Sequence, residues 1–363
     1  MLTRQSLLYV GSYASSDRPG IYAFAFDPVT GGLAELASCS GIINPSFLAV
    51  HPNQRWLYAV SETHHQHDGV PGAVWALHSA AELWSLTPIN QQASGGDYPC
   101  HVVIDATGRW LVVSNYGTGS VGVLPILADG SLGELVDRVQ HRGHGWHSTR
   151  QEAPHAHAAV FAPDQRFVIV TDLGTDAVLV YAFDAATGRL AAHTHASTQL
   201  GAGPRHLTFH PSGTVLYVAN ELDNTVVVYT YDAARGMLQE RQIVATLPLG
   251  APESTVADIH ITPAGDRLYV SNRGHDSIAV FDVDTPGQLE PVAVQPCGGR
   301  CPRTFALAPD SWHLAVANQQ SDEVVVFPII VAGATALGAP LSRTAIPGAS
   351  CVQWMLVSAD RRG

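Results

Sequence analysis

Six stretches of the chain decide its fold: HPNQRWLYAVSE (His51 to Glu62), DATGRWLVVSNY (Asp105 to Tyr116), APDQRFVIVTDL (Ala162 to Leu173), HPSGTVLYVANE (His210 to Glu221), TPAGDRLYVSNR (Thr262 to Arg273) and APDSWHLAVANQ (Ala308 to Gln319). They share one pattern. A turn rich in Pro, Gly and Asp leads into a β-branched and aromatic run, which ends in a small polar pair. Runs of this composition bounded by turn residues read as strands, and helical periodicity is nearly absent from the chain. Each stretch is preceded by an apolar strand and followed, after a tight loop, by a third: GAVWAL, SVGVLPI, AVLVYAF, TVVVYTY, SIAVFDV and EVVVFPI. Pro52 to Pro309 spans five intervals in 257 residues, a period of about 51. A period near that length with several strands per unit is the signature of a β-propeller. A parallel β-solenoid is the runner-up, but its rungs are shorter and less regularly hairpinned.

The ends complete the count. LLYVGSY (Leu7 to Tyr13) is a second strand lacking its first, followed by GIYAFAF, and CVQWMLV (Cys351 to Val357) is a first strand without successors. Joined, they make a seventh blade from about 7–40 and 350–358, which closes the ring and hides its edges. The sequence therefore predicts an all-β, seven-bladed propeller occupying 1–363 as a single domain.

Composition narrows the function. The chain has 363 residues, 31 acidic and 19 basic side chains, and a formal charge of −12. All the basic residues are arginine; there is no lysine. That excludes Schiff-base and pyridoxal-phosphate chemistry, which needs a lysine amine, and the lysine of a P-loop. An acidic chain without lysine runs is also a poor nucleic-acid binder. No cofactor motif occurs. Five scattered cysteines (Cys39, Cys100, Cys297, Cys301, Cys351) suit reduced thiols better than a disulfide framework. The apolar run Leu7 to Val10 is too short for a signal peptide's core. The stretch Phe327 to Leu341, broken by Gly and Pro, falls short of a membrane span. These features predict a cytoplasmic protein without a membrane partner, a monomer or weak homo-oligomer.

The repeat locates a site without any motif. In a propeller the innermost strand of each blade lines a central channel. The loops entering that strand and those leaving the second strand lie on one face. Two aligned columns therefore converge on one mouth. Inner strands begin with Ser46, Cys100, His157, Arg205, Ala257 and Arg303, followed by Phe47, His101, Ala158, His206, Asp258 and Thr304. Second strands end with Tyr13, Glu62, Tyr116, Leu173, Glu221, Arg273 and Gln319. The strand bodies are nearly interchangeable, yet the columns hold a different polar group in almost every blade. Repetition explains sameness, not this diversity. Converging arginines in an acidic chain form an anion trap, because guanidinium is a planar fork for carboxylate or phosphate. His157 and Glu221 beside them supply groups that move protons near neutral pH, and an arginine near a carbonyl can stabilise an oxyanion.

At these residues the chain resembles a known family. PHAHAAVFAPD (Pro154 to Asp164), GAGPRHLTFHPSG (Gly201 to Gly213), VANEL (Val218 to Leu222), SNRGHDSIAVF (Ser271 to Phe281) and PRTFALAPD (Pro302 to Asp310) are similar to the seven-bladed propeller lactonases. That family includes bacterial 6-phosphogluconolactonases and the fungal carboxy-cis,cis-muconate cyclase. The resemblance covers nearly the whole chain and implies catalytic roles for His157, Glu221, Arg205 and Arg273. His101, His206, Asp258, Arg303, Glu62 and Gln319 are the expected substrate-binding set, and no metal is expected. Two departures stand out: Asp258 where the family often has glutamate, and the insertion THHQHDG (Thr63 to Gly69). The implied ligand is a small anionic lactone or related acid. Hydrolysis is the first expectation, given the broad carbohydrate role of 6-phosphogluconolactonase in the pentose phosphate pathway. A lactonising cyclase and, in another class, a non-catalytic binding platform remain the alternatives.

Other clusters have plainer readings. His64, His65 and His67 with Asp68 read as a solvated loop tip rather than a metal site, and the Cys297/Cys301 pair is a weak metal signal. HRGHGWH (His141 to His147) lies in a long connection between blades three and four, which either overhangs the mouth or is mobile. Asn115, Asn220, Asn272, Asn318 and Asp172 recur at one blade position and read as caps of the loop that follows. The tryptophans read as core or inter-blade packing.

Overall fold

The computed structural model describes residues 5–80, 85–330 and 336–357. It contains seven four-stranded antiparallel sheets, and they form the seven-bladed propeller. Blade one is the seam, ordered Ala349–Val357, Gln5–Ser12, Ile21–Phe26, Leu33–Cys39 from the channel outward. Here the C-terminal strand pairs antiparallel with the N-terminal one, from Gln5 opposite Val357 to Ser12 opposite Ala349. Blades two to seven then follow in chain order. Their inner strands are Leu48–Val50, Pro99–Ile104, Ala156–Phe161, Pro204–Phe209, Thr255–Ile261 and Pro302–Leu307.

The second strands explain the near-continuous apolar runs. Trp56–Ser61, Trp110–Asn115, Phe167–Asp172, Val215–Asn220 and His313–Asn318 are buried at every position. A strand covered by neighbouring blades on both faces has no wet side, so its sequence loses the in–out alternation of a half-exposed strand. Burying each such Val, Leu or Tyr side chain stabilises by roughly 1.5–3 kcal/mol. The outermost strands keep the alternation, as in Arg189–Ser197, because one face meets solvent.

The turns confirm the repeat register residue by residue. The fourth residue of each quoted stretch is left-handed: Gln54 (φ 62°), Gly108 (72°), Gln165 (59°), Gly213 (74°), Gly265 (78°) and Ser311 (62°). The histidines that open two of the stretches also link blades. His51 Nε2 lies 2.9 Å from the Gly108 carbonyl of the next blade, and His210 Nε2 lies 3.1 Å from that of Gly265. The polar residues read as loop caps take such roles: Asn115 donates to Ser120, Asn220 to Thr225 and Asn272 to Ser277. Asp172 accepts from the amides of Thr175 and His155, whereas Asn318 departs from that reading: it makes no bond to the turn that follows and donates instead to the Cys297 carbonyl.

The tryptophan expectation needs correction. Trp56 and Trp110 pack in cores, but Trp146 is 77% and Trp312 59% exposed. Trp146 rides on a connection outside the repeat and Trp312 on a turn tip, where no neighbouring blade covers them. Trp84, Met1 to Arg4 and part of the stretch after Phe327 lie outside the described residues.

Candidate active site

The first column sits on a repeated defect. Pairing between inner and second strands skips a residue between Pro99 and His101, Ala156 and Ala158, Pro204 and His206, and Pro302 and Thr304; in blade six it skips two, between Val256 and Ile259. The unpaired residues are Cys100, His157, Arg205, Arg303 and, in blade six, Ala257 and Asp258. A bulge bends the strand and re-aims its side chain. Here it does so at the channel entrance of five blades. The seam repeats the device at Ser350, between Ala349 and Cys351.

The side chains form two tiers. In the upper tier Glu221 is the hub. Its Oε2 lies 3.0 Å from Arg205 Nε and 2.9 Å from an Arg273 terminal nitrogen, and its Oε1 lies 2.5 Å from an Arg150 terminal nitrogen. Arg205 also donates to the Ala257 carbonyl, and Arg273 to that of Val256 at 3.1 Å. The Nε–H groups of Arg205 and Arg273 have no aligned acceptor among the described residues, so the 3.0 Å contact is one of charge rather than a linear hydrogen bond. Across the mouth, Glu62 accepts from Tyr13 at 2.7 Å and from Ser46. Arg303 reaches within 3.9 Å of Glu62 and lies 5.0 Å over the Tyr13 ring. His157 makes an edge contact with Tyr116, with ring centres 5.7 Å apart, and His155 stacks on the same ring at 4.3 Å.

The lower tier closes the channel beneath. Phe47, His101 and His206 pack with ring centres 4.4–5.9 Å apart, and His157 meets His206 at 5.3 Å. Asp258 anchors this layer. It lies 2.7 Å from His206 Nδ1 and 3.0 Å from His260 Nε2, and accepts the Phe305 amide at 3.1 Å. A cavity of about 320 Å3 continues beyond it toward Pro52 at the opposite end of the inner strands. The upper-tier residues do not line that cavity.

The expected set therefore divides. His157, Arg205, Glu221, Arg273, Arg303 and Glu62 come together at the mouth. His101, His206 and Asp258 form the layer under it. Gln319 stands at the rim, half-buried, with its Oε1 3.9 Å from the Cys301 thiol. Arg150 is the residue that column alignment misses: it lies on the connection after His141, outside every repeat. The length of that connection was the available signal. Among the described residues no group of His, Cys, Asp or Glu is arranged to hold a metal. The THHQHDG insertion instead forms a short exposed helical turn, His65–Asp68.

Electrostatics assign states. Burial alone would raise the Glu221 carboxyl, but Arg273, Arg205 and Arg150 overcome it and hold the group down at about 2. Burial and the Arg273 charge bring Arg205 down to about 10, still cationic at neutrality. Burial, with Arg205, His206, Arg303 and Arg273, depresses His157 well below the usual histidine range. His101 is also depressed by burial and by His206, and burial with Arg205 takes His206 to about 4. The three imidazoles are thus neutral at pH 7. Burial raises the Cys100 thiol, which lies 3.2 Å from the His157 carbonyl. It is a packing group rather than a thiolate nucleophile.

A propeller whose mouth holds arginines and a neutral imidazole is fitted to polarise a carbonyl and accept a proton from water. The model of the seven-bladed β-propeller lactonases matches residues 7–354, and the chain belongs to that family of lactone-hydrolysing enzymes. It is 35% identical over 322 residues to the 6-phosphogluconolactonase of Bacillus subtilis, covering 88% of this chain and 90% of the relative. A 6-phosphogluconolactonase of Formosa agariphila is 32% identical over 333 residues, 88% and 91% of the two chains. Among solved structures, the periplasmic gluconolactonase of Pseudomonas aeruginosa matches with a TM-score of 0.90 at 31% identity, covering 96% and 99%. No helix among the described residues is long and apolar enough to cross a membrane.

Proposed function

We propose that this lactonase opens an anionic sugar lactone of the 6-phosphogluconolactone type at the mouth defined by His157, Arg205, Glu221 and Arg273. The observation that carries the reading is charge. Arg150, Arg205, Arg273 and Arg303 share the two carboxylates of the mouth, Glu221 and Glu62, and the ionised Asp258 of the layer beneath offsets only part of the remainder, so the mouth is locally positive in a chain of −12. A phosphate monoester suits such a surplus of guanidinium. The names of the relatives from Bacillus and Formosa support the same substrate class.

The states of the groups distribute the steps. Neutral His157 accepts a proton from water as the water oxygen bonds to the lactone carbonyl carbon. The carbonyl electron pair moves onto oxygen, where Arg205 or Arg273 stabilises the charge; one such donor is worth about 100–1000-fold in rate. Collapse restores the carbonyl and breaks its bond to the ring oxygen, which takes the proton from His157. A histidine with a depressed pKa is a weak base, but its imidazolium is a strong acid, well suited to that last transfer. Glu221 does not act as base: both its oxygens face guanidinium groups and its proton affinity is too low. It holds the arginines. This chemistry needs no cofactor.

We place this activity in the cytoplasm, in keeping with five cysteines that are all free; cell fractionation tests the placement. The activity test is the opening of 6-phosphogluconolactone, corrected for spontaneous hydrolysis. Acceleration by the protein, abolished by His157→Gln and strongly reduced by Arg205→Ala with folding intact, is the expected result. An uncatalysed rate in the presence of the wild-type protein overturns the proposal.

A further inference from the structure

We infer that Arg150, carried over the mouth by the connection between blades three and four, holds the anionic group at the far end of the substrate from the lactone carbonyl; this rests on the lactone-opening function proposed above. The column residues that place the chemistry all come from repeated positions. Arg150 comes from outside the repeat, and three features separate it from its neighbours.

The first is anchorage. Surface arginines sample many rotamers, but this one follows a pinned backbone. The next residue, Gln151, is buried. Its side chain accepts the His147 amide at 2.9 Å and donates to the Leu173 carbonyl at 2.8 Å and to Asp176 at 2.6 Å. Asp176 in turn accepts the amides of Gly201 and Gly203 at 2.7 and 2.8 Å. At the start of the connection His141 is held 2.5 Å from Asp172. The loop is thus tied to the frame of blade four at both ends, and the Arg150 guanidinium arrives at Glu221 pre-positioned.

The second is accessibility. The Arg150 side chain is 37% exposed, against 2% for Arg205, 16% for Arg273 and 18% for Arg303. Arg205 and Arg273 also spend donors on backbone carbonyls. Among the described residues the Arg150 guanidinium bonds to Glu221 and lies beside the Tyr116 hydroxyl, so it retains donors on the side from which a ligand enters. The third is order in depth. His157 and Arg205 are buried at the bulges, where the carbonyl reacts, whereas Arg150 lies toward solvent. A six-carbon lactone lying between them presents its carbonyl to the former and its terminal phosphate to the latter. Guanidinium is the side chain best shaped to take two phosphate oxygens at once.

The experiment compares two substrates and one competitor. Steady-state opening of 6-phosphogluconolactone and of unphosphorylated glucono-δ-lactone is measured for wild type, Arg150→Ala and Arg150→Lys, with inorganic phosphate as inhibitor. Removing one charged contact to phosphate weakens binding about 10–100-fold. In Arg150→Ala the ratio of kcat/KM for the phosphorylated over the plain lactone should fall by that factor. The fall should appear chiefly in KM, with a parallel weakening of phosphate inhibition and partial recovery in Arg150→Lys. Equal losses on both lactones, a loss confined to kcat, or no loss would show that Arg150 only braces Glu221, and would overturn the assignment. A wild type that opens both lactones equally well also overturns it while leaving the lactonase function standing. If the wild type opens neither, that function falls, and phosphate titration calorimetry decides Arg150 alone: equal affinity in wild type and Arg150→Ala ends the proposal.

Discussion

Replacing Glu221 with glutamine keeps the shape of the side chain and removes the one carboxylate shared by three arginines, so its effect on stability can be worked out from the mouth geometry. The group falls from an ordinary 4.5 to about 2 on folding. That difference of about 2.5 units at 1.36 kcal/mol each gives roughly 3 kcal/mol of stability tied to its ionised form. The sign follows from proton uptake. The unfolded chain binds the proton more readily, so the contribution is fully present above about pH 4.5 and is lost as pH falls toward 2. A second route gives a similar size: removing one partner of a buried ion pair costs about 3–5 kcal/mol, because the remaining charge is left uncompensated. Here Arg205, almost wholly buried, would bear most of that. Guanidinium unfolding of wild type and Glu221→Gln at pH 7 should differ by about 3 kcal/mol or more, and the gap should narrow in acid as the wild-type carboxylate is titrated. A cost under about 1 kcal/mol, or a gap constant down to pH 3, would refute the view of Glu221 as the charge hub of the mouth.

Three further expectations follow from other parts of the molecule. The pH profile of kcat/KM should stay flat through neutrality and fall only well below pH 6.5, because the depressed His157 remains unprotonated until then; an acid limb at or above 6.5 would argue against it as the proton acceptor. His206, about 4 when folded, binds fewer protons than in the unfolded chain between pH 4 and 6.5, so it weakens the fold as pH drops through that window. His206→Gln should therefore flatten the stability–pH slope there by about 1.4 kcal/mol per pH unit, read by denaturation at several pH values. At the repeated turn, Ser311→Gly should stabilise by up to about 1 kcal/mol by relieving a left-handed serine. Gly265→Ala should destabilise by about 1–2 kcal/mol, since its new methyl would also meet the His210 ring at 2.5 Å; thermal melts of both variants check the pair.

Most of the ring was legible because the same structural problem is solved six times. A buried second strand must be apolar throughout, a tight turn must tolerate a positive φ, and both demands leave marks at fixed intervals. The seam was legible for the opposite reason: two incomplete blades at the ends fit only each other. The columns also located the mouth, since His157, Arg205, Glu221 and Arg273 meet there. Depth was harder to see. His206 directly follows Arg205 in the sequence, but the bulge at Arg205 sends the two side chains to different tiers, and in blade six the wider bulge leaves Asp258 in the lower one; a bulge leaves no clear residue signature. Arg150 was hidden because alignment of repeats sees only what repeats. Its chemistry is that of any arginine, and what distinguishes it is Gln151 pinning the backbone beside it.

The seam has a consequence for how one wall of the mouth is held. Tyr13 leaves the first strand of the chain, whereas Arg303, which lies over its ring, belongs to the last full blade. Glu62, from the second blade, lies between them. One wall of the mouth is therefore built across the join that closes the ring. The pairing of Ala349–Val357 with Gln5–Ser12 is what holds Tyr13 against Glu62 and Arg303. The seam thus works as a clasp: the strand contact that shuts the ring also fixes the distance between residues some 290 positions apart in the sequence.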